Sequence, residues 1–179
     1  MRSLVTIQRM DLAVSTLCLS HRFSADIARV FRWVSKSGDG HLYLAIGALL
    51  ALTAGDKGVS FLVCGLQAFA IELPLFMVLK RVFRRARPQH LPAFIVPSDL
   101  YSMPSGHTSA AFLMAAVLSH FYPDYSVVYW AWAASIGASR VLLGVHYVSD
   151  VLVGALLGLG CASLILRFSE YANFTGSAV

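Results

Sequence analysis

Five apolar runs leave this chain few ways to fold. They span residues 42–54, 59–79, 104–122, 126–143 and 148–168, and mostly short polar breaks separate them. The chain has 179 residues, 58% of them hydrophobic and only 13% charged. Soluble domains carry roughly 25% charged residues, so an ordinary water-soluble domain fits poorly. The same composition excludes disorder. A membrane span needs about 20 apolar residues. The expected fold class is therefore all-α, a polytopic membrane bundle of about five spans. The count rises to six if residues 11–36 supply another. The run 42–54 is the weakest, because 13 residues rise only about 20 Å through a roughly 30 Å hydrocarbon core.

The chain divides into an N-terminal amphipathic segment, 1–40, and a membrane-embedded bundle, 41–179. Within the first part Phe23, Ile27, Val30, Phe31 and Val34 recur at helical spacing, with Arg22, Arg29, Arg32 and Lys36 on the other side. That pattern fits a helix lying in the membrane interface, and it equally fits a helix packed on the bundle. No cleaved signal peptide is expected: the run Leu12–Leu19 is interrupted by Ser15 and Thr16, and no small-residue cleavage site follows.

The charges are few and clustered. Fourteen Lys and Arg stand against nine Asp and Glu, a formal +5, and five of the cations fall between Lys80 and Arg87. Such a cluster predicts an anionic partner. For a chain this apolar the partner is a lipid headgroup or phosphate rather than nucleic acid. Arg81, Arg84 and Arg85 are expected to face lipid or solvent. Glu72 interrupts the second span and should face the bundle interior, since a carboxylate at mid-depth costs about 3 kcal/mol. Cys18, Cys64 and Cys161 are isolated and form no metal-ligand or disulfide pattern.

Spans alternate in direction, so the long Pro-containing loop 80–103 and the short break 144–147 lie on one membrane face. Three polar clusters sit beside them. In the first, Lys80 and Arg87 are seven apart and can point the same way; Arg grips phosphate oxygens bidentately and Lys adds a compact charge. In the second, Pro104-Ser105-Gly106-His107 opens a span, where free backbone N–H groups favour an anion. In the third, Ser139 and Arg140 precede His146 and Asp150. These last two are four apart and share a helical face, so the carboxylate can fix which imidazole nitrogen is free. Asp150 as a plain helix cap and His146 as an interfacial residue is the bland alternative. His107, His146 and Asp150 could also bind a metal, but only one carboxylate is available and Lys80, Arg87 and Arg140 would repel a cation.

Together these clusters resemble the tripartite signature of the type 2 phosphatidic acid phosphatase superfamily. Lys80 with Arg87-Pro88 fits the first motif. Pro104-Ser105-Gly106-His107 fits the second, and Ser139-Arg140, His146 and Asp150 fit the third. The resemblance implies an integral-membrane phosphatase acting on a lipid phosphate or diphosphate, such as undecaprenyl diphosphate, without metal or other cofactor. It implies that Lys80, Arg87, Ser105, Gly106 and Arg140 hold the phosphate, that His146 becomes a phosphohistidine, that Asp150 orients it, and that His107 protonates the leaving oxygen. It further implies an extracytoplasmic site, in a bacterial inner membrane if the source is bacterial. Charge counting alone would put the basic loop in the cytoplasm. Two alternatives remain at this point: a lipid phosphotransferase of the same family, and a non-enzymatic transporter of anionic lipids. The sequence does not set the oligomeric state.

Overall fold

The computed structural model describes residues 2–20, 22, 24–89, 91–97 and 99–176, with side chains from residue 6 to residue 169. Among the described residues it has seven α-helices and no strand. They are α1 (Arg2–Leu19), α2 (Ser24–Lys36), α3 (Gly40–Thr53), α4 (Gly55–Phe83), α5 (Gly106–Phe121), α6 (Ser126–Leu142) and α7 (Val148–Gly176). A single 3-10 turn, Pro123–Tyr125, joins α5 to α6.

The five expected runs became α3 to α7, but not five equal spans. α4 and the Val148–Ser169 part of α7 are long and apolar enough to cross a bilayer by themselves. α3 is apolar but shorter. α5 and α6 have 16 and 17 residues, so at about 1.5 Å per residue both fall short of a roughly 30 Å core.

The N-terminal region differs more. Residues 11–36 are not one span. α1 ends at Leu19 and α2 starts at Ser24, where the polar sequence after Leu19 interrupts the apolar pattern. The run 12–19, interrupted by Ser15 and Thr16, lies within α1. α2 packs on α6 through Ala28 and Ser35, while Val30 and Trp33 stay exposed.

α5 is central, packed against α4, α6 and α7. Its buried residues Leu113, Met114, Val117 and Leu118 join Phe61 and Cys64 of α4 and Cys161 of α7 in the main apolar core. Contact with α7 is closest where α7 carries glycine. A Cβ on Gly154 would stand 2.5 Å from the Ser105 carbonyl oxygen, and one on Gly158 would stand 2.0 Å from that of Ser109. Small residues let helices approach in lipid, where no hydrophobic force drives association. The approach also ties the start of α5 to the start of α7: the Ser105 N–H donates to the Asp150 carbonyl at 3.0 Å.

Glu72 is buried in the bundle, as its depth in the second run requires. α4 ends where Arg84 turns into the left-handed region at φ 45°, its N–H donating to the Lys80 carbonyl. That stop releases the chain into the 84–105 loop.

Candidate active site

The two loops expected on one face do meet. The Phe94 N–H donates to the Leu143 carbonyl at 3.0 Å, and Arg87 Nη1 donates to that of Val145 at 2.5 Å. Gly144 holds φ +74°, and a Cβ there would strike the Pro92 carbonyl oxygen. Where the loops join, a cavity of about 340 Å³ opens. Asp99, Gly106, His107, Arg140 and His146 line it, together with Tyr43, Phe69, Leu73 and Phe76 and the Glu72 carboxylate.

His146 is 3% exposed and sits just before α7 rather than on it. Its Nε2 lies 3.4 Å from Arg87 Nη1, which can only donate. Nε2 is therefore the unprotonated nitrogen, and Nδ1 carries the hydrogen. Nδ1 faces Asp150 Oδ2 at 3.7 Å, too far for a hydrogen bond. Burial pushes the imidazole pKa down to about 4; Asp150 opposes this, and Arg87 and Arg140 add to it.

Asp150 has no exposed surface. Its Oδ2 accepts the Tyr147 N–H at 2.8 Å and the Ser102 hydroxyl. Its Oδ1 accepts Arg85 Nη1 at 2.8 Å. The carboxylate thus caps α7 and faces His146 at once, so the bland and the chemical readings both hold. The expectation for Arg85 fails. Arg81 and Arg84 are exposed as anticipated, but Arg85 turns inward to bridge Asp150 and Asp11, at 2.8 and 2.7 Å. Burial works against its charge, and the hydrogen bond it donates to Asp11 and the field of Asp150 more than offset that. Two buried carboxylates need a cation, and Arg85 is within reach.

Lys80 and Arg87 converge. Both donate to one oxygen, Asp99 Oδ1: Arg87 Nη2 at 2.8 Å, and Lys80 Nζ, which also reaches the Tyr101 carbonyl at 2.8 Å. Burial raises the Asp99 pKa, but Lys80 and then Arg87 bring it below the ordinary carboxylate value. One carboxylate oxygen held by both cations marks where they can grip an oxyanion. Arg140 is buried, with Nη1 donating to the Ser35 hydroxyl of α2.

Ser105 is the N-cap of α5 and fully buried; its Oγ accepts the Thr108 hydroxyl at 2.9 Å, leaving its own proton free. A Cβ on Gly106 would lie 2.8 Å from the Phe76 ring, so glycine lets the helix start approach the cavity. His107 faces Asp39 of the α2–α3 turn, Nε2 to Oδ1 at 3.0 Å. Ser139 instead donates to the Ile136 carbonyl within its own helix. Among the described residues no group of three His, Cys, Asp or Glu is arranged to hold a metal ion.

Two imidazoles and a buried guanidinium around one cavity suit the binding of an oxyanion. The PAP2 superfamily pattern matches residues 58–174, about two thirds of the chain. The chain belongs to the PAP2 superfamily. Among relatives, the probable lipid phosphate phosphatase beta of Arabidopsis thaliana is 37% identical over 144 residues, covering 63% of this chain and 67% of its own. Across such relatives the matched stretch spans from 51% to 70% of their length. Two PAP2 crystal structures share the fold. LpxE of Aquifex aeolicus superposes with TM-score 0.76 at 27% identity, over 88% of this chain and 95% of that one. A transmembrane PAP2 phosphatidylglycerolphosphate phosphatase of Bacillus subtilis gives 0.73 at 28%, over 93% and 87%. The Bacillus subtilis protein is described as transmembrane, and here α4 and the Val148–Ser169 part of α7 are long and apolar enough to cross a bilayer.

Five groups about the PAP2 site were not singled out from sequence: Asp11, Asp39, Arg85, Ser102 and Asp99. One signal was available. Cations within or beside apolar runs, such as Lys80 and Arg140, require counter-charges, and only nine acidic residues exist to supply them.

Proposed function

We propose that this PAP2 protein is an integral-membrane phosphatase that hydrolyses a membrane lipid phosphate or diphosphate through a phosphohistidine on His146. The observation that carries this is a single cavity lined by His146, His107 and Arg140 together with the apolar side chains of Phe69, Leu73 and Phe76. Such a cavity fits a phosphate on a lipid stem.

In the proposed cycle the substrate phosphate replaces Asp99 at Lys80 and Arg87. Arg140, the Ser105 hydroxyl and the Gly106 N–H take its other oxygens, spreading the transition-state charge. His146 Nε2 forms a bond to phosphorus in line, and the P–O bond to the lipid breaks. His107 delivers a proton to the departing oxygen. The imidazole becomes cationic as it is phosphorylated, and Asp150 draws closer to Nδ1–H. Water then attacks phosphorus, the P–N bond breaks, and His107 accepts the water proton. Lys80, Arg87 and Arg140 supply the positive charge that a metal would otherwise bring. Several of these contacts are reasonable, since one donor contributes only about 3–4 kcal/mol.

The substrate class follows the relatives' names, which include lipid A 1-phosphatase and phosphatidylglycerophosphatase B. Undecaprenyl diphosphate belongs in the same panel on the chemistry of the site. We read residues 1–40 as the interfacial segment and 41–179 as the embedded bundle. We place the site on the extracytoplasmic face of a bacterial inner membrane, because the loop cations serve phosphate rather than topology.

The test is phosphate release by the detergent-purified chain. The panel is phosphatidic acid, phosphatidylglycerol phosphate, lipid A and undecaprenyl diphosphate, with and without chelator. Rapid quenching into alkaline denaturant, in which the P–N bond survives, should trap a labelled phosphohistidine that is lost in His146→Ala. Activity that survives in His146→Ala, or that disappears with chelator, overturns the reading.

A further inference from the structure

Asp11 lies on α1, well before the matched region that starts at residue 58. It is 4% exposed, in a helix whose Met10, Leu12 and Leu17 are exposed. A buried carboxylate needs partners, and Asp11 has three contacts. Oδ2 accepts Arg85 Nη2 at 2.7 Å and the Ser149 hydroxyl at 2.5 Å, and Oδ1 accepts the Ser149 N–H at 3.0 Å. Arg85 is thereby divided. Nη2 serves Asp11, while Nη1 serves Asp150 at 2.8 Å and Ser149 Oγ at 2.5 Å. Its guanidinium also lies over the Tyr147 ring, 4.4 Å from the centroid. The series runs from α1 by hydrogen bonds through Asp11, Arg85 and Asp150, and faces the His146 imidazole across 3.7 Å.

We propose that Asp11 is a positioning residue for the phosphoryl-transfer step, acting through Arg85 and Ser149 on Asp150. The inference rests on the reading of His146 as nucleophile and Asp150 as its partner. Its physical content is a competition. Two carboxylates share one guanidinium, so neither is neutralised fully, and the three groups together carry one negative charge. That charge faces an imidazole which becomes positive as the P–N bond forms. Without the charge on Asp11, the whole guanidinium would belong to Asp150, and the field at His146 Nδ1 would fall. Asp11 also fixes both polar groups of Ser149, the residue next to Asp150. α1 is thus part of the reaction apparatus.

The experiment uses the full chain in detergent and the lipid phosphate from the panel that is turned over fastest. Asp11→Asn keeps the size and the acceptor for the Ser149 N–H but removes the charge. It is expected to lower kcat about tenfold with KM within about twofold, the scale of a partner one step removed from the reacting group. Asp11→Glu keeps the charge and should retain more kcat than Asp11→Asn. In an Arg85→Met background the effect should largely vanish. That change removes the guanidinium through which Asp11 acts, and adding Asp11→Asn should then change kcat by less than about twofold. Ser15→Ala, one turn along the same face of α1 at a hydroxyl without a hydrogen-bond partner, should leave kcat unchanged. A wild-type kcat in Asp11→Asn, a loss confined to KM, or equal losses in both backgrounds would show that Asp11 only anchors α1. If Arg85→Met cannot be recovered folded, the split between kcat and KM in Asp11→Asn and Asp11→Glu decides alone. Should His146→Ala keep full activity, the nucleophile assignment fails instead.

Discussion

The two histidines of the site live in different surroundings. The His146 side chain is 3% exposed and faces an Asp150 side chain with no exposed surface. The His107 side chain is 28% exposed and faces an Asp39 that is 48% exposed. Asp150 is fixed by Ser102, Arg85 and a backbone N–H, whereas Asp39 sits in a Gly-Asp-Gly turn with only His107 as a side-chain partner among the described contacts. A nucleophile gains from a fixed, dry environment in which its lone pair is aimed. A group that must pass protons to a leaving oxygen and take them from water gains from a wet rim. In the proposed cycle the same pair of residue types would serve two roles because burial differs.

This contrast can be broken by mutation. The largest effect should come from His146→Ala, with turnover down by about 10⁴-fold or more and no trapped phosphoenzyme, since removing a nucleophile disables the unit. His107→Gln should cost about 10²–10⁴-fold, the usual scale of general acid–base catalysis. Part of that loss should be recovered on substrates with a better leaving group, measured as kcat/KM across aryl phosphates. Next, Asp150→Asn should cost more than Asp39→Asn, for which about 10-fold is expected from a partner of the reacting group. Equal losses would erase the distinction between the dry and the wet pair.

The smallest effect is in pH. Folded His146 titrates at about 4, against about 6.5 for a free histidine. Between those values the unfolded chain binds more protons, so this group's contribution to stability is complete above about pH 6.5 and is lost as pH falls toward 4. Thermal unfolding in detergent should follow that direction, and His146→Gln should flatten it. Single-turnover phosphoenzyme formation should likewise persist at about pH 6, where an ordinary histidine is largely protonated.

Much of this was readable in the sequence. Lys80 and Arg87 meet at one oxygen, as expected from the sequence, but not by helical spacing: α4 ends at Phe83 and Arg87 returns to the site from the loop. His107 and His146 share a cavity because an even number of runs returns the chain to the same side. What escaped was the counter-charge. Asp39 lies in a stretch that reads as a plain chain break, and Asp99 in one that reads as loop. Asp11 is 74 residues from Arg85, and no periodicity links residues so far apart. Arg85 was misplaced because a basic run on a membrane protein reads as headgroup-facing, and only tertiary placement of Asp150 and Asp11 shows why one member turns inward. Helix lengths escaped too: hydropathy gives the extent of an apolar run, not how much of a bilayer its helix can cross.

The glycines of α7 carry a last implication. Gly154 and Gly158 set how near α7 lies to α5, and they do so about 6 Å and 12 Å of helix rise beyond Asp150. They bear no reactive atom, yet they gauge the gap across which Asp150 and the anion-holding end of α5 face each other. A methyl group added at Gly158 would meet backbone, which has no alternative rotamer to adopt. Random mutagenesis scored for lost turnover should therefore recover inert positions deep in the lipid as readily as charged ones at the rim.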